Sequence, residues 1–387
     1  MANILYIGNA DINMKRGHGL MLKMHHKIIC ENIPNANVFS IFTEGEYRLD
    51  KRNKTLYYPN SGKLNKLVSL IFGYPIYFSY KLEKLILKII KDYNIEIVYI
   101  DTCTCGKIFK IIKNRFPSVK TISYYPDIEK VREGNDLKKA SYVQKLAIYA
   151  DIRNEKITSQ YADCSIVLNK RDEKLFYENY GKKPEAIIPI VVPIVSNADK
   201  SLTHKANTKI ELLFVGANYT PNVLGLEWFI NEVLPLIHFD ASLTIVGLEM
   251  EKYRDKWEKK DHRVQVVGTV ADLSPFYSSA DVIIAPISNG GGMKVKTAEA
   301  FSYGKNFVGM PESLEGYWED VPLKFRNKKI FKCKDKNEFV SSLNYLAGQN
   351  FNKYNTDIAE WMEAHYSYGA VSAKYRKVFN ESEGLLR

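Results

Sequence analysis

The feature that most constrains the fold is an alternation of short apolar runs with helical stretches, repeated in both halves of a 387-residue chain. In the first half, Ile4 to Ile7, Glu96 to Ile100, Lys120 to Tyr125 and Ser165 to Leu168 read as strands. Lys81 to Tyr93, Tyr142 to Tyr161 and Asp172 to Tyr180 read as helices, the first with Leu82, Leu85, Ile86, Ile89 and Ile90 on one face. Runs this short, separated by helices, predict a parallel sheet with helices on both sides. The pattern stops at Ile187-Ile-Pro-Ile-Val-Val-Pro-Ile-Val195, and the polar stretch Ser196 to Thr208 marks a domain boundary. It then restarts. Glu211 to Val215 ends in Gly216, Pro221 and Asn222 open a helix to Leu234, and Leu243 to Val246 leads into Gly247. Val264 to Val267 ends in Gly268, a helix spans Leu273 to Ser279, and Val282 to Ala285 is the next strand. Two doubly wound α/β domains are expected, with a ligand cleft between them.

The strand Val282 to Ala285 feeds a glycine-rich turn, Ser288-Asn-Gly-Gly-Gly-Met-Lys-Val-Lys296, that opens a helix carrying Lys296 and Glu299. Glycines let a backbone approach a ligand closely, and the first free N–H groups of a helix favour an anion. Lys296 and Glu299 are three residues apart and share a helix face, so an ammonium for phosphate and a carboxylate for paired hydroxyls project together. Lys294 lies off that face. The alternatives are an ordinary structural turn for the glycines and a surface ion pair between Lys296 and Glu299. No Gly-x-Gly-x-x-Gly with a downstream acid and no Walker lysine-serine pair occurs, which argues against hydride transfer and P-loop hydrolysis.

The five cysteines form no Cys-x-x-Cys pair and no zinc spacing, which fits a reduced, cytoplasmic compartment. The first residues are too short an apolar run for a signal peptide, and no stretch reaches the about 18 apolar residues of a spanning helix. Charge is uneven: 32 Lys and Arg face 21 Asp and Glu in residues 1–200, against 23 of each in residues 201–387. Arg48, Lys51, Arg52, Lys54, Lys63, Lys66, Lys81, Lys84, Lys88 and Lys91 interleave with Tyr57, Tyr58, Phe72, Tyr74, Tyr77, Phe78 and Tyr80. That mixture suits an anionic membrane surface; the alternatives are a solvated basic face over core aromatics or, without any recognition motif to support it, nucleic acid.

From Leu212 to Gly316 the chain resembles the glycosyltransferases of family 4. The matching residues are Leu212-Leu-Phe-Val-Gly216, Tyr219-Thr-Pro-Asn222, Trp228 to Pro235, Ile245-Val-Gly247, Val267-Gly-Thr-Val270, Ala285-Pro-Ile, Gly290-Gly-Gly-Met-Lys-Val-Lys296, Glu299-Ala300, Tyr303-Gly-Lys305 and Glu315-Gly316. The first half resembles the family more loosely, through Asn3 to Gly8 and a Gly17-His-Gly19 loop. The resemblance implies a GT-B fold, two doubly wound Rossmann-like domains facing across a cleft. Residues 1–195 would bind the acceptor, 196–365 the nucleotide-diphosphate sugar donor, and 366–387 would form a last helix crossing back to the first domain. Phosphate would meet Gly290, Gly291, Gly292, Met293, Lys294 and Lys296, the ribose Glu299, and Gly216, Asn218, Gly268 and Val270 would wall the diphosphate and base.

Two positions depart from the family. A second glutamate, eight positions before Glu299, is replaced by Gly291, so the sugar is not implied. A His-Asn or His-Asp pair aligns with Pro126-Asp127, which leaves Asp127 as the acid or base there, or as a turn residue. His18 would contact the acceptor or diphosphate, or be a loop histidine, and the His25-His26 pair reads as structural or exposed. The implied reaction is sugar transfer with retention to a saccharide or lipid-linked acceptor, in polysaccharide or glycolipid assembly. It would use no protein nucleophile, no cofactor and no metal, since no Asp-x-Asp motif is present. The expected location is cytoplasmic, peripheral on the inner face of the membrane, without nucleic acid. An epimerase or hydrolase on the same fold, or a non-catalytic nucleotide-sugar-binding subunit, are the alternatives.

Overall fold

A computed structural model describes residues 2–9, 17–43, 46–60, 62–134, 140–192, 202–289 and 293–384. The chain divides into two compact units, Met1–Val191 with Val371–Arg387, and Val192–Ala370.

The first unit runs β1 (Asn3–Gly8), α1 (Gly17–Asn32), β2 (Asn37–Phe42), β3 (Arg48–Asp50), β4 (Thr55–Tyr57), α2 (Lys63–Ile71), α3 (Tyr80–Asp92) and β5 (Ile97–Ile100). It continues with α4 (Gly106–Arg115), β6 (Lys120–Tyr125), α5 (Glu129–Gly134), α6 (Tyr142–Tyr161), β7 (Cys164–Val167), α7 (Lys170–Tyr180) and β8 (Ala186–Ile187). The sheet order is β3-β4-β2-β1-β5-β6-β7-β8, parallel except between β3 and β4. All four residues of β5 and of β7 are buried, which a parallel strand covered on both faces requires. The apolar stripe of α3 supplies Leu82, Ile86 and Ile90 to the cluster that holds Val98 and Ile100, each side chain worth about 1.5–3 kcal/mol of burial. Ser79 caps α3 by accepting from Leu82 N–H, which fixes where the helix starts.

The second unit runs β9 (Thr203–His204), β10 (Ile210–Val215), α8 (Thr220–Trp228), β11 (Ala241–Val246), α9 (Arg254–Lys260), β12 (Val264–Gly268), α10 (Ser274–Ser279), β13 (Val282–Ala285), α11 (Val295–Ser302), β14 (Asn306–Gly309), β15 (Ile330–Lys332), α12 (Lys336–Ala347), β16 (Phe351–Asn352) and α13 (Thr356–Tyr366). Its main sheet is parallel throughout, ordered β12-β11-β10-β13-β14-β15. The helix expected to run to Leu234 is regular only to Trp228; a π turn at Phe229–Val233 and a 3-10 turn at Leu234–Leu236 complete it. Pro235 has no N–H to continue an α-helical ladder, consistent with the tighter last turn. The polar stretch read as a domain boundary contains β9, which pairs antiparallel with β16 and buries His204.

A final helix, α14 (Tyr368–Gly384), belongs to the first unit from Val371 onward. Tyr375 and Phe379 are fully buried there, with the Tyr375 hydroxyl 3.0 Å from that of Tyr99 and the Phe379 ring stacked on Tyr99. Beside them, the buried His25 places Nδ1 3.0 Å from Asp101, which also accepts from the Tyr6 hydroxyl at 2.5 Å. The neighbouring His26 is half-buried and meets Ser40 at 2.8 Å. Asp101 thus satisfies two polar groups that water cannot reach. Asp101→Asn is expected to cost about 2 kcal/mol of stability in denaturant titrations, because one of those groups loses a charged acceptor.

Candidate functional site

In the second unit the chain leaves β10 for β11 and β12 on one side, then returns to β13 on the other. The carboxyl ends of β10 and β13 are therefore the point where strand order reverses, where open α/β sheets leave a crevice for ligands. Gly216 follows β10 at this point, and β13 leads through the glycine-rich turn into α11. Gly290, Gly291 and Gly292 themselves lie outside the described residues. A Cβ built on Gly216 would stand 2.8 Å from Lys296 Nζ, 2.9 Å from Asn222 Nδ2 and 3.0 Å from the Phe214 ring. The glycine leaves room for the lysine head. Gly216→Ala is expected to displace that flexible head, lowering the activity of the site by about 10²-fold while the melting temperature changes little.

Lys296 Nζ donates to Asn222 Oδ1 at 2.5 Å and sits 4.8 Å from the centroid of the Phe214 ring. Asn222 is itself fixed, because its Nδ2 donates to the Ala217 carbonyl at 2.8 Å. Burial pushes the Lys296 ammonium down to about 7, Lys294 adds to the shift and Glu299 opposes it. A half-buried cation that has, among the described residues, a neutral amide and a ring beside it is poised to bind an anion. Glu299 accepts from the Tyr277 hydroxyl at 3.2 Å, and Tyr277 is stacked on Tyr303 with centroids 4.5 Å apart. Burial raises the Glu299 carboxyl, while Tyr277 and Lys296 pull the other way. Among the described residues no ion pair joins Lys296 to Glu299; each is held by a different neighbour.

The other residues named from the sequence have contacts of their own. Lys294, just before α11, donates to Glu312 at 2.6 Å, and its carbonyl accepts from Tyr317. Met293 is half-buried. Asn218 accepts from the Tyr253 hydroxyl at 3.2 Å, and both line an open recess of about 250 Å³ with Tyr219, Thr220, Val223 and Leu224. Gly268 ends β12 with φ of 85°, the left-handed region that favours glycine, and its carbonyl accepts from Gly247 N–H at 2.8 Å. Val270, half-buried, follows it after Thr269, whose hydroxyl accepts from Glu249 N–H. Asp127 lies in the first unit, two residues after β6; it accepts from Ile128 N–H at 3.0 Å and stands 3.5 Å from Arg171. Its carboxylate serves the turn that starts α5. His18 falls in α1, and its side chain is outside the described residues. Among the described residues no three His, Cys, Asp or Glu side chains gather as a metal site would need.

Sequence reasoning missed Asn222 and Tyr277 as site residues. Asn222 had a signal, as the third residue of a proline-started helix after the β10 glycine, but its partner is 74 positions away.

Residues 209–348 match the family model described as "Glycosyl transferases group 1". That stretch carries the match to the family model. It contains every residue of the Lys296 site. A "44.6 kDa protein in cps region" of Klebsiella pneumoniae is 27% identical over 168 residues, covering 38% of this chain and 42% of that relative's length. Across the whole chain the fold is that of GT-B glycosyltransferases. Sucrose-phosphate synthase of Thermosynechococcus elongatus superposes with a TM-score of 0.68 at 14% identity, covering 100% of both chains. The lipopolysaccharide outer core galactosyltransferase WaaB gives 0.68 at 13% identity over 98% of this chain and 99% of that one. Anabaena HepE, solved with UDP and glucose, gives 0.63 at 12% identity over 98% and 100%. The matched stretch, residues 209–348, is the part of this chain whose sequence carries the likeness.

Proposed function

We propose that the protein transfers a sugar, with retention of configuration, from a nucleotide-diphosphate sugar to a hydroxyl of a saccharide or lipid-linked acceptor during surface polysaccharide or glycolipid assembly. One observation carries this reading: a desolvated lysine and a carboxylate share the first turns of a helix at the sheet's switch point, inside a group 1 glycosyltransferase domain. The lysine suits a diphosphate, and the carboxylate suits a pair of ribose hydroxyls. The UDP bound to HepE and the cps region of the Klebsiella relative agree with a nucleotide-sugar donor and a polysaccharide product.

In this mechanism the bond between the anomeric carbon and the diphosphate oxygen breaks while the acceptor oxygen bonds to the same face of that carbon. The departing phosphate oxygen takes the acceptor's proton. Negative charge grows on the leaving diphosphate, and the Lys296 ammonium with the α11 N-terminus offsets it. Neither a protein nucleophile nor a metal ion enters. A panel of nucleotide-sugars with and without lipid-linked acceptor tests the reading through release of free nucleoside diphosphate. Acceptor-dependent release supports transfer. A new sugar nucleotide marks an epimerase, acceptor-independent release a hydrolase, and a thermal shift without product a binding subunit.

A further inference from the structure

The helix α2 is amphipathic, but it faces the wrong way for a core helix. Leu64, Leu67, Val68 and Ile71 recur at i, i+3, i+4 and i+7, the stripe a surface helix normally turns inward. Here that stripe is outermost: Leu64 and Ile71 are each 73% exposed, Leu67 and Val68 41%, and the following Phe72 58%. The one buried residue of α2 is the polar Ser69, whose hydroxyl donates to the Asn65 carbonyl and accepts from Asn60. The helix is anchored in this orientation. It packs against α6, and Asn154 of α6 donates to the Gly73 carbonyl just beyond α2 at 3.1 Å. The opening turns of α6 expose Tyr142, Val143, Leu146 and Tyr149, so both packed helices present apolar groups to solvent. Scattered exposed leucines need no explanation, but stripes on two packed helices do.

The charges around the stripe say what covers it. Residues 62–91 hold six lysines and a single carboxylate, Glu83, which is buried and accepts from Tyr74. Lys81, Lys84, Lys88 and Lys91 lie on the exposed side of α3, and Lys63 and Lys66 flank the stripe on α2 itself. Among the described residues none of the six pairs with a carboxylate. A protein partner would bring apolar surface alone or a few fixed carboxylates; apolar groups ringed by unpaired lysines match a layer with anionic headgroups outside and hydrocarbon beneath. We infer that the α2 face, with the lysines of α3, docks the first unit on an anionic lipid bilayer. Leu64, Leu67, Val68, Ile71 and Phe72 enter the headgroup boundary, and the lysines stay at phosphate level.

The test uses the full chain and scores lipid binding rather than sugar transfer, so its outcome is independent of the proposed reaction. Vesicles of phosphatidylcholine with phosphatidylglycerol are expected to sediment the wild-type protein at low salt. Vesicles of phosphatidylcholine alone should hold at least about tenfold less. Leu67→Glu with Ile71→Glu removes sedimentation and keeps the wild-type melting temperature, since both residues are exposed. Lys84→Gln with Lys88→Gln weakens binding at low salt and flattens its salt dependence. Unchanged sedimentation of the Leu67→Glu, Ile71→Glu variant would overturn the inference, as would a wild-type protein that never sediments. So would a wild-type dimer in lipid-free solution that this variant converts to monomer, because the face would then belong to a second copy.

Discussion

Lys296→Ala is expected to lower kcat for sugar transfer by about 10²- to 10³-fold, the usual cost of removing a group aimed at developing negative charge. Circular dichroism and melting temperature should stay near wild type, because among the described residues the ammonium bonds only Asn222 and touches a ring face. The same residue sets a pH dependence whose sign follows from its surroundings. In the free protein burial holds the ammonium to about 7, and only its protonated form can offset phosphate charge. Donor kcat/KM, which reports the free enzyme, should therefore fall as pH rises through about 7. A bound diphosphate raises the lysine's pKa, so kcat should hold to higher pH. Profiles of the two parameters that superpose, or wild-type turnover in Lys296→Ala, would remove Lys296 from the donor site.

Glu299→Ala should act mainly on donor binding. A carboxylate that accepts from two ribose hydroxyls makes two charge-assisted hydrogen bonds, so its loss costs roughly 3 kcal/mol, about 100-fold in donor KM. A donor analogue lacking both ribose hydroxyls separates this role from a structural one. It should bind wild type and Glu299→Ala with equal affinity, whereas a difference that persists would mean that Glu299 merely supports the fold. Tyr277→Phe tests the neighbour that orients it. Without that hydroxyl, only Lys296 remains to oppose the effect of burial, so the carboxyl rises further. The variant's donor affinity should therefore weaken more steeply than wild type as pH falls and the carboxylate is protonated. Isothermal titration across acidic pH measures it.

The alternation of apolar runs was legible because parallel strands are buried on both faces, and β6, β13 and α6 fall on the ranges read from the sequence. The strand order was not legible, since it depends on which crossover returns past β10, yet that order puts Gly216 beside Lys296. The shared face of Lys296 and Glu299 was readable from their spacing. Their partners were not, because Asn222 and Tyr277 arrive from other elements. The α2 stripe shows a deeper limit. Its periodicity is the one a core-facing helix has, and only the polar anchors at Ser69 and Asn154 decide which side faces out. The basic and aromatic content was visible, but its arrangement waited on the fold.

The placement of α14 fixes an order of assembly. The second unit is one continuous stretch, Val192–Ala370, whereas the first is completed only by residues after it. On a ribosome, the second unit can close while the first unit still lacks Tyr375 and Phe379, leaving Tyr99 and the His25 ring without their last neighbours. Chains cut short inside α14 would then carry a finished second unit beside an unsealed first one, so proteolysis can remove incomplete chains before they accumulate.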